Sequence, residues 1–244
     1  MLGGDLKQMS SRASGYVPLL GAVANLLILA AILLLVVRVD KKPVGVLGLS
    51  FGLAGLGFTL SSTVVTFVLA LGLVRLLGRS DKRRVERRSL GSTEQPVSFA
   101  LVAVGLLLIV AAQEEVLFRG YITVNLAASG PLPVILISTG IFVVIHFPTN
   151  RVSLPQVGSW AAGGFLLALV YLVSGSIWVA VAVHFVTDYT NVLMLGVAGA
   201  GSLYHFEPAL GAAHRALFRV VQGAATVAIL LIFYGARFHL QVLG

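Results

Sequence analysis

Cysteine is absent from the 244 residues, which excludes disulfides, thiolate metal ligands and a cysteine nucleophile. Charge is scarce as well. Only 11% of the residues are charged and 58% are hydrophobic, where a soluble domain carries about 25% charged residues. No polar stretch is long enough to form a soluble domain. Acidic residues are the rarest charged class, nine against 17 Lys and Arg, giving a net charge of +8. In so apolar a chain this excess fits basic loops held on the cytoplasmic side near anionic lipid better than nucleic-acid binding. With a mean hydropathy of +0.99, the chain reads as a polytopic helical membrane protein.

Two protease signatures are also missing. There is no His-Glu-x-x-His and no Gly-x-Gly-Asp. Gly48-Leu49-Ser50-Phe51-Gly52 matches the nucleophile-elbow string, but no strand precedes it and it is set aside as chance.

What remains is a set of long apolar runs. After a polar lead, residues 1–15, one transmembrane domain is expected over 16–244. Its spans read Tyr16–Val37, a pass within Val44–Leu77, Val97–Ala128, Leu132–Phe147, Leu154–Val173, Ser176–Leu195 and Leu217–Gly235. The first run is too long for the core of a cleaved signal peptide and reads as a retained span. Val44–Leu77 as one helix would measure about 51 Å, against a hydrocarbon core of about 30 Å. It holds either one tilted span after an interfacial segment or two short passes meeting near Gly52, Gly55 and Gly57. The expected fold is therefore an all-α bundle of seven or eight spans around a polar cavity. On the seven-span reading, twelve of the 17 Lys and Arg residues lie on the N-terminal side and five on the other, which puts the N-terminus in the cytoplasm. On the eight-span reading the N-terminus is outside. Both readings make the basic linker Arg79–Arg88 a solvated cytoplasmic loop touching anionic headgroups. His205, Glu207 and His214 receive no role.

Against this background a few ionisable residues stand out. Glu114 and Glu115 lie inside the run Val97–Ala128, followed by Arg119. A charge at the centre of a membrane helix costs roughly 2.5–3.5 kcal/mol on an insertion scale, so such residues mark function by default. Residues four apart share a helix face, so Glu115 and Arg119 can pair, while Glu114 is turned about 100° away and left free. Phe142 and His146 share a face of the next span. His184 and Asp188 do so two spans later, with Asn191 on the same stripe. A carboxylate and a histidine flanking one water form a general base, and further donors can stabilise an oxyanion. Glu114, His146 and His184 are equally the ligand types of an open zinc site. Both readings lead to acyl-bond hydrolysis within the bilayer. A proton- or ion-coupled carrier, or a non-catalytic adaptor with the same cavity, is the competing class, although the repeat typical of many carriers is not visible.

The ordered motifs Glu114-Glu115-x-x-x-Arg119, Phe142-x-x-x-His146 and His184-x-x-x-Asp188 resemble those of the CPBP family of intramembrane endopeptidases (CAAX proteases and bacteriocin-processing or self-immunity proteins, also called Abi). Flanking letters agree: Phe118-Arg119-Gly120, and Ser174-Gly175-Ser176-Ile177-Trp178 ahead of His184. The resemblance covers Gln113–Asn191, within a catalytic core at about 97–196. It implies about eight spans with a conical cavity, and a protein or peptide substrate in the membrane. It also implies Glu114 and His146 as water activators, with His184 and Asp188 as oxyanion stabilisers. Members are described both as metalloproteases and as glutamate-type proteases, so the resemblance leaves zinc open. Asp188 stands where prenyl-protein-processing members carry Asn. An ionised Asp cannot donate to an oxyanion, which makes Asn191 the alternative donor.

Overall fold

The computed structural model describes residues 19–79, 84–87, 96–148, 152–191, 204–207, 210 and 212–238. The expected lead 1–15, the first residues of the first span and the positions 192–195 lie outside them.

Helices occupy nearly all the described residues. α1 is Leu19–Val39, its last turn widened to a π-helix at Leu35–Val39. α2 is Leu53–Gly78. α3 is Pro96–Glu115 and runs on through a π segment, Val116–Ile122, into the single turn α4, Thr123–Leu126. α5 is Pro131–Ile145, α6 Leu154–Ser174, α7 Ile177–Tyr189 and α8 Ala212–Phe238. Prolines at the first turns of α5 and α6 start those helices where a missing N–H costs nothing. Gly175, at φ +67°, ends α6.

Four of these helices, at Leu19–Val39, Leu53–Leu77, Leu154–Ser174 and His214–Arg237, have the length and apolar character to cross a bilayer. α5 and α7 are shorter. Large apolar side chains cover the outside, among them Leu53, Leu154 and Ile232. In water such a surface would aggregate; against lipid it is the expected exterior.

The ambiguous stretch Val44–Leu77 holds a short turn with extended chain and then one long helix. A 3-10 turn, Val44–Leu47, is followed by Gly48 at φ +76° and extended chain up to Gly52. A Cβ at Gly48 would lie 2.8 Å from the Gly175 carbonyl oxygen, so only glycine lets this loop seat itself on the α6–α7 turn. Three bonds fasten the seat: Ile177 N–H to Gly48 O at 2.8 Å, Ser176 Oγ to Ser50 O at 2.5 Å and Trp178 Nε1 to Leu49 O at 3.0 Å. The Gly48–Gly52 string is thus a structural loop.

One short ribbon adds to the all-α fold. Arg84–Arg87, inside the basic linker expected to be a plain loop, forms strand β1. It pairs antiparallel with β2, Tyr204–Glu207, in the register Arg84↔Glu207, Val85↔Phe206, Glu86↔His205 and Arg87↔Tyr204. Phe206 is buried in a small cluster with Ala70, Val74, Leu77 and Phe218, which holds the ribbon against α2 and α8. The main core is centred on α6 and α7, where Val170, Val173, Ile177, Val179 and Ala180 have no exposure. α7 packs against α2, α3 and α6 and is the innermost helix.

Candidate active site

The π segment begins one residue after Glu115, so the widened turn carries Phe118 and Arg119 directly beside the two glutamates. Thr123 Oγ1 donates to the carbonyl of Phe118, five residues back, and fills the space the wider turn opens. Glu115 and Arg119 are both completely buried and pair at 3.3 Å. Arg119 also donates from Nη2 to the carbonyl of Gly164 on α6 at 2.9 Å. A side chain at Gly164 would press on Phe142 and Thr139 at 3.2 Å, so the glycine is what brings α6 close to α5. Arg119 completes its surroundings with aromatic faces, its guanidinium carbon 4.8 Å from the Phe142 ring centre and 5.6 Å from Phe118.

The second partner of Glu115 was not anticipated from the sequence. Its Oε1 accepts from Nδ1 of His184 on α7 at 2.8 Å. A carboxylate accepts only, so this bond places a hydrogen on Nδ1 and turns Nε2 the other way. There Nε2 meets Asp188 Oδ2 at 3.3 Å and Glu114 Oε2 at 3.8 Å. One imidazole therefore gathers three carboxylates from two helices. Glu115 is fully enclosed, the Glu114 side chain is 21% exposed and that of Asp188 42%. The cluster opens outward from Glu115 through His184 to Asp188.

His146 ends α5. Its Nδ1 lies 2.7 Å from the Phe142 carbonyl oxygen, and its ring stacks between Phe142 at 4.5 Å and Trp160 at 5.2 Å. Phe142 is in turn 6.4 Å from the His184 ring. Phe142 is thus the spacer that sets His146 relative to Arg119 and His184.

Asn191 stands apart from this group. It is buried one turn beyond Asp188, and its Nδ2 donates to the carbonyl of Thr187 at 2.8 Å. Among the described residues no group of three His, Asp or Glu side chains is placed to hold a metal ion. No step below is routed through a metal.

Sequence reasoning passed over several contributors. Trp160 and Gly164 on α6 gave no signal beyond close helix packing. Arg219 and Gln222, polar residues three apart in an otherwise apolar last span, did give one. Arg219 bonds Ser159 and lies in electrostatic reach of Asp188; Gln222 donates to Thr187 Oγ1 at 3.0 Å.

No curated protein and no solved structure matches the chain. A family model does, that described as type II CAAX prenyl endopeptidase, Rce1-like, over residues 96–190. That stretch runs from the start of α3 to the end of α7 and contains Glu114, Glu115, Arg119, Phe142, His146, His184 and Asp188. The segment that builds this cluster is accordingly similar to the Rce1-like type II CAAX prenyl endopeptidases, a family of proteases.

Proposed function

We propose that the protein is an intramembrane endopeptidase that hydrolyses a peptide bond of a membrane-associated protein or peptide, in CAAX-type or bacteriocin and self-immunity-type processing. The observation that carries this reading is the meeting of Glu114, Glu115 and Asp188 on the single imidazole of His184, inside apolar helices. A proton relay would spread such groups along a path through the bilayer; their concentration at one point favours a reaction centre.

In this mechanism Glu114, the more accessible of the paired glutamates, takes a proton from a water molecule with His146 beside it. The water oxygen adds to the peptide carbonyl carbon. The carbonyl oxygen becomes an oxyanion facing the His184 and Asp188 side of the cluster, where a hydrogen carried on Nε2 of His184 stabilises it. When the tetrahedral intermediate collapses, the C–N bond breaks and the proton held by Glu114 passes to the leaving amine. Glu115 and Arg119 touch no reacting atom; as positioning residues they hold the orientation of the His184 ring, which in this step carries a hydrogen on both nitrogens. Asp188 serves as an acceptor for His184 when ionised and as a donor only when protonated.

The ribbon supports one orientation when α3, α5, α6 and α7 are each taken as a span. β1 precedes α3 and β2 follows α7, and their pairing keeps both on one side of the membrane. Four helices, α3, α5, α6 and α7, lie between, an even number that returns the chain to its starting side. With the basic linker 79–88 in the cytoplasm against anionic lipid, the ribbon and the N-terminal ends of α3 and α8 are cytoplasmic in a multi-pass cell-membrane protein.

The test is genetic and biochemical together. Glu114→Gln and His146→Ala each abolish cleavage while the protein still folds, and a membrane proteome from a Glu114→Ala strain accumulates the uncut substrate. Unchanged turnover in either purified variant removes the mechanism.

A further inference from the structure

Away from the carboxylate cluster, α2 carries Thr59, Ser62, Thr63 and Thr66. Their spacing of three, four and seven places these hydroxyls on one helix face in the middle of a span. α8 turns Gln222 and Thr226 toward them and α7 adds Thr187, so three helices meet on a polar, uncharged seam. Between them lies a cavity of about 10 Å3, walled by these hydroxyls and by Val183 and Val186.

Hydroxyls in apolar helices ordinarily satisfy themselves by donating to the carbonyl one turn back. Thr187 does so to Val183 at 2.7 Å and Thr226 to Gln222 at 2.9 Å. Two others break the habit. The hydroxyl oxygens of Thr59 and Ser62 are buried, line the cavity and have no protein partner, and Ser62 as a whole is 6% exposed. A buried polar atom without a partner calls for an explanation, and a space this size has room for the centre of one water molecule. It is too small for an organic ligand, and no carboxylate lines it to hold a cation.

We propose that this cavity is a binding site for a single water molecule, held by Ser62 and Thr59, and that it acts as a water reserve beside the catalytic helix. The connection runs through α7 and α8. Gln222 Nε2 bonds Thr187 Oγ1 at 3.0 Å and reaches Thr66 Oγ1 at 3.5 Å. Thr187 is the neighbour of Asp188, and Arg219 lies one turn before Gln222 with Asp188 in electrostatic reach. Peptide hydrolysis consumes one water per turnover. A substrate seated over the exposed edge of Asp188 closes the direct way in, and the hydroxyl seam supplies polar room on the other side of α7. The reserve role rests on the proteolytic reading; the water site itself does not.

Radiolytic hydroxyl labelling of the full-length protein in lipid nanodiscs, with water as the probe, tests the site without reference to activity. Buried side chains beside a bound water become labelled. The expected result is labelling of the α2 and α7 cavity residues in the wild type and equally in Glu114→Gln, lost in Thr59→Val/Ser62→Ala, where neither hydroxyl remains. No labelling there in the wild type, or undiminished labelling in the double variant, overturns the site. If the double variant does not fold, Ser62→Ala, which removes one oxygen and adds no bulk, carries the same comparison. For the reserve role, kcat of the double variant falls by about fivefold at unchanged KM. Lost labelling with kcat intact overturns that role, whereas a wild type that is labelled but cleaves nothing overturns the protease reading and leaves the water site standing.

Discussion

Replacing Glu115 by Gln separates the two tasks that its carboxylate performs. The side chain keeps its shape and an oxygen able to accept from Nδ1 of His184, but the charge is gone. Arg119, fully enclosed and paired at 3.3 Å in the wild type, becomes a buried cation whose remaining anchors are one carbonyl and two ring faces. Breaking a buried ion pair from one side costs about 3–5 kcal/mol, which in a chain of this length lowers the unfolding midpoint by on the order of 10 °C. The bond to His184 changes from charge-assisted to neutral, a loss of about 1 kcal/mol at the imidazole and so about fivefold in rate. Thermal unfolding in detergent and cleavage of a substrate peptide read the two losses separately. Glu115→Gln/Arg119→Met removes both charges at similar volume and is expected to recover stability to within about 1 kcal/mol of the wild type. Cleavage stays depressed, because His184 still lacks its anionic partner. The reasoning fails if the single variant melts like the wild type, or if the double variant regains full cleavage.

Three further outcomes are expected. Asp188→Asn keeps cleavage within about tenfold of wild type if the position donates to the oxyanion; a loss equal to that of His184→Ala rejects donation and leaves Asp188 as an obligatory acceptor for Nε2. Gly48→Ala combines a left-handed backbone, φ +76°, with a Cβ 2.8 Å from the Gly175 carbonyl oxygen, and unseats the loop before α2. Its stability drops by about 2 kcal/mol, read by thermal melting, and wild-type stability would show that the loop does not hold the α6–α7 turn. Phe206→Ala leaves a hole among Ala70, Val74 and Phe218 worth about 3 kcal/mol, so the ribbon frees itself and the linker between α2 and α3 becomes sensitive to limited proteolysis. Cleavage by the membrane-embedded cluster is retained; resistance to proteolysis would count against the ribbon.

Local geometry decided how much could be read in advance. His184 and Asp188 are four residues apart on one α-helix, so their contact at 3.3 Å follows from helical rise and twist; the same spacing announces Glu115 and Arg119, whose 3.3 Å contact spans the π turn that begins at Val116. The bond between Glu115 and His184 joins helices far apart in the chain, and no periodicity encodes it. The β1–β2 ribbon was illegible for the same reason. Its pairing is non-local, and four residues such as Arg84–Arg87 carry no alternation long enough to distinguish a strand from a basic loop. The choice between two readings of Val44–Leu77 turned on Gly48, since glycine letters announce backbone freedom without saying where it is used. The face of Thr59, Ser62, Thr63 and Thr66 was open to reading, but averaged hydropathy buries four hydroxyls in the valines and leucines around them.

On the proposed mechanism the paired glutamates divide a structural duty from a reactive one. Adjacent residues point about 100° apart, so two carboxylates of equal chemistry enter different surroundings. Glu115 faces inward, where Arg119 and His184 both reach it and its exposure is nil. A carboxylate with no exposure, held through Oε1 by both partners, is a poor base for a water that has to arrive from outside. Glu114 faces the open side at 21% exposure, with its nearest ring nitrogen at 3.8 Å, beyond a hydrogen bond. Its exposed edge is open to a water molecule arriving from that side. The rigidity this needs is passed along a chain of contacts, from the Gly164 carbonyl to Arg119, to Glu115 and then to the imidazole, so the position of His184 on α7 is referenced to the backbone of α6. A base that is loosely held beside a ring that is firmly held is the arrangement water activation requires: the ring fixes the geometry, and the carboxylate remains free to change its protonation.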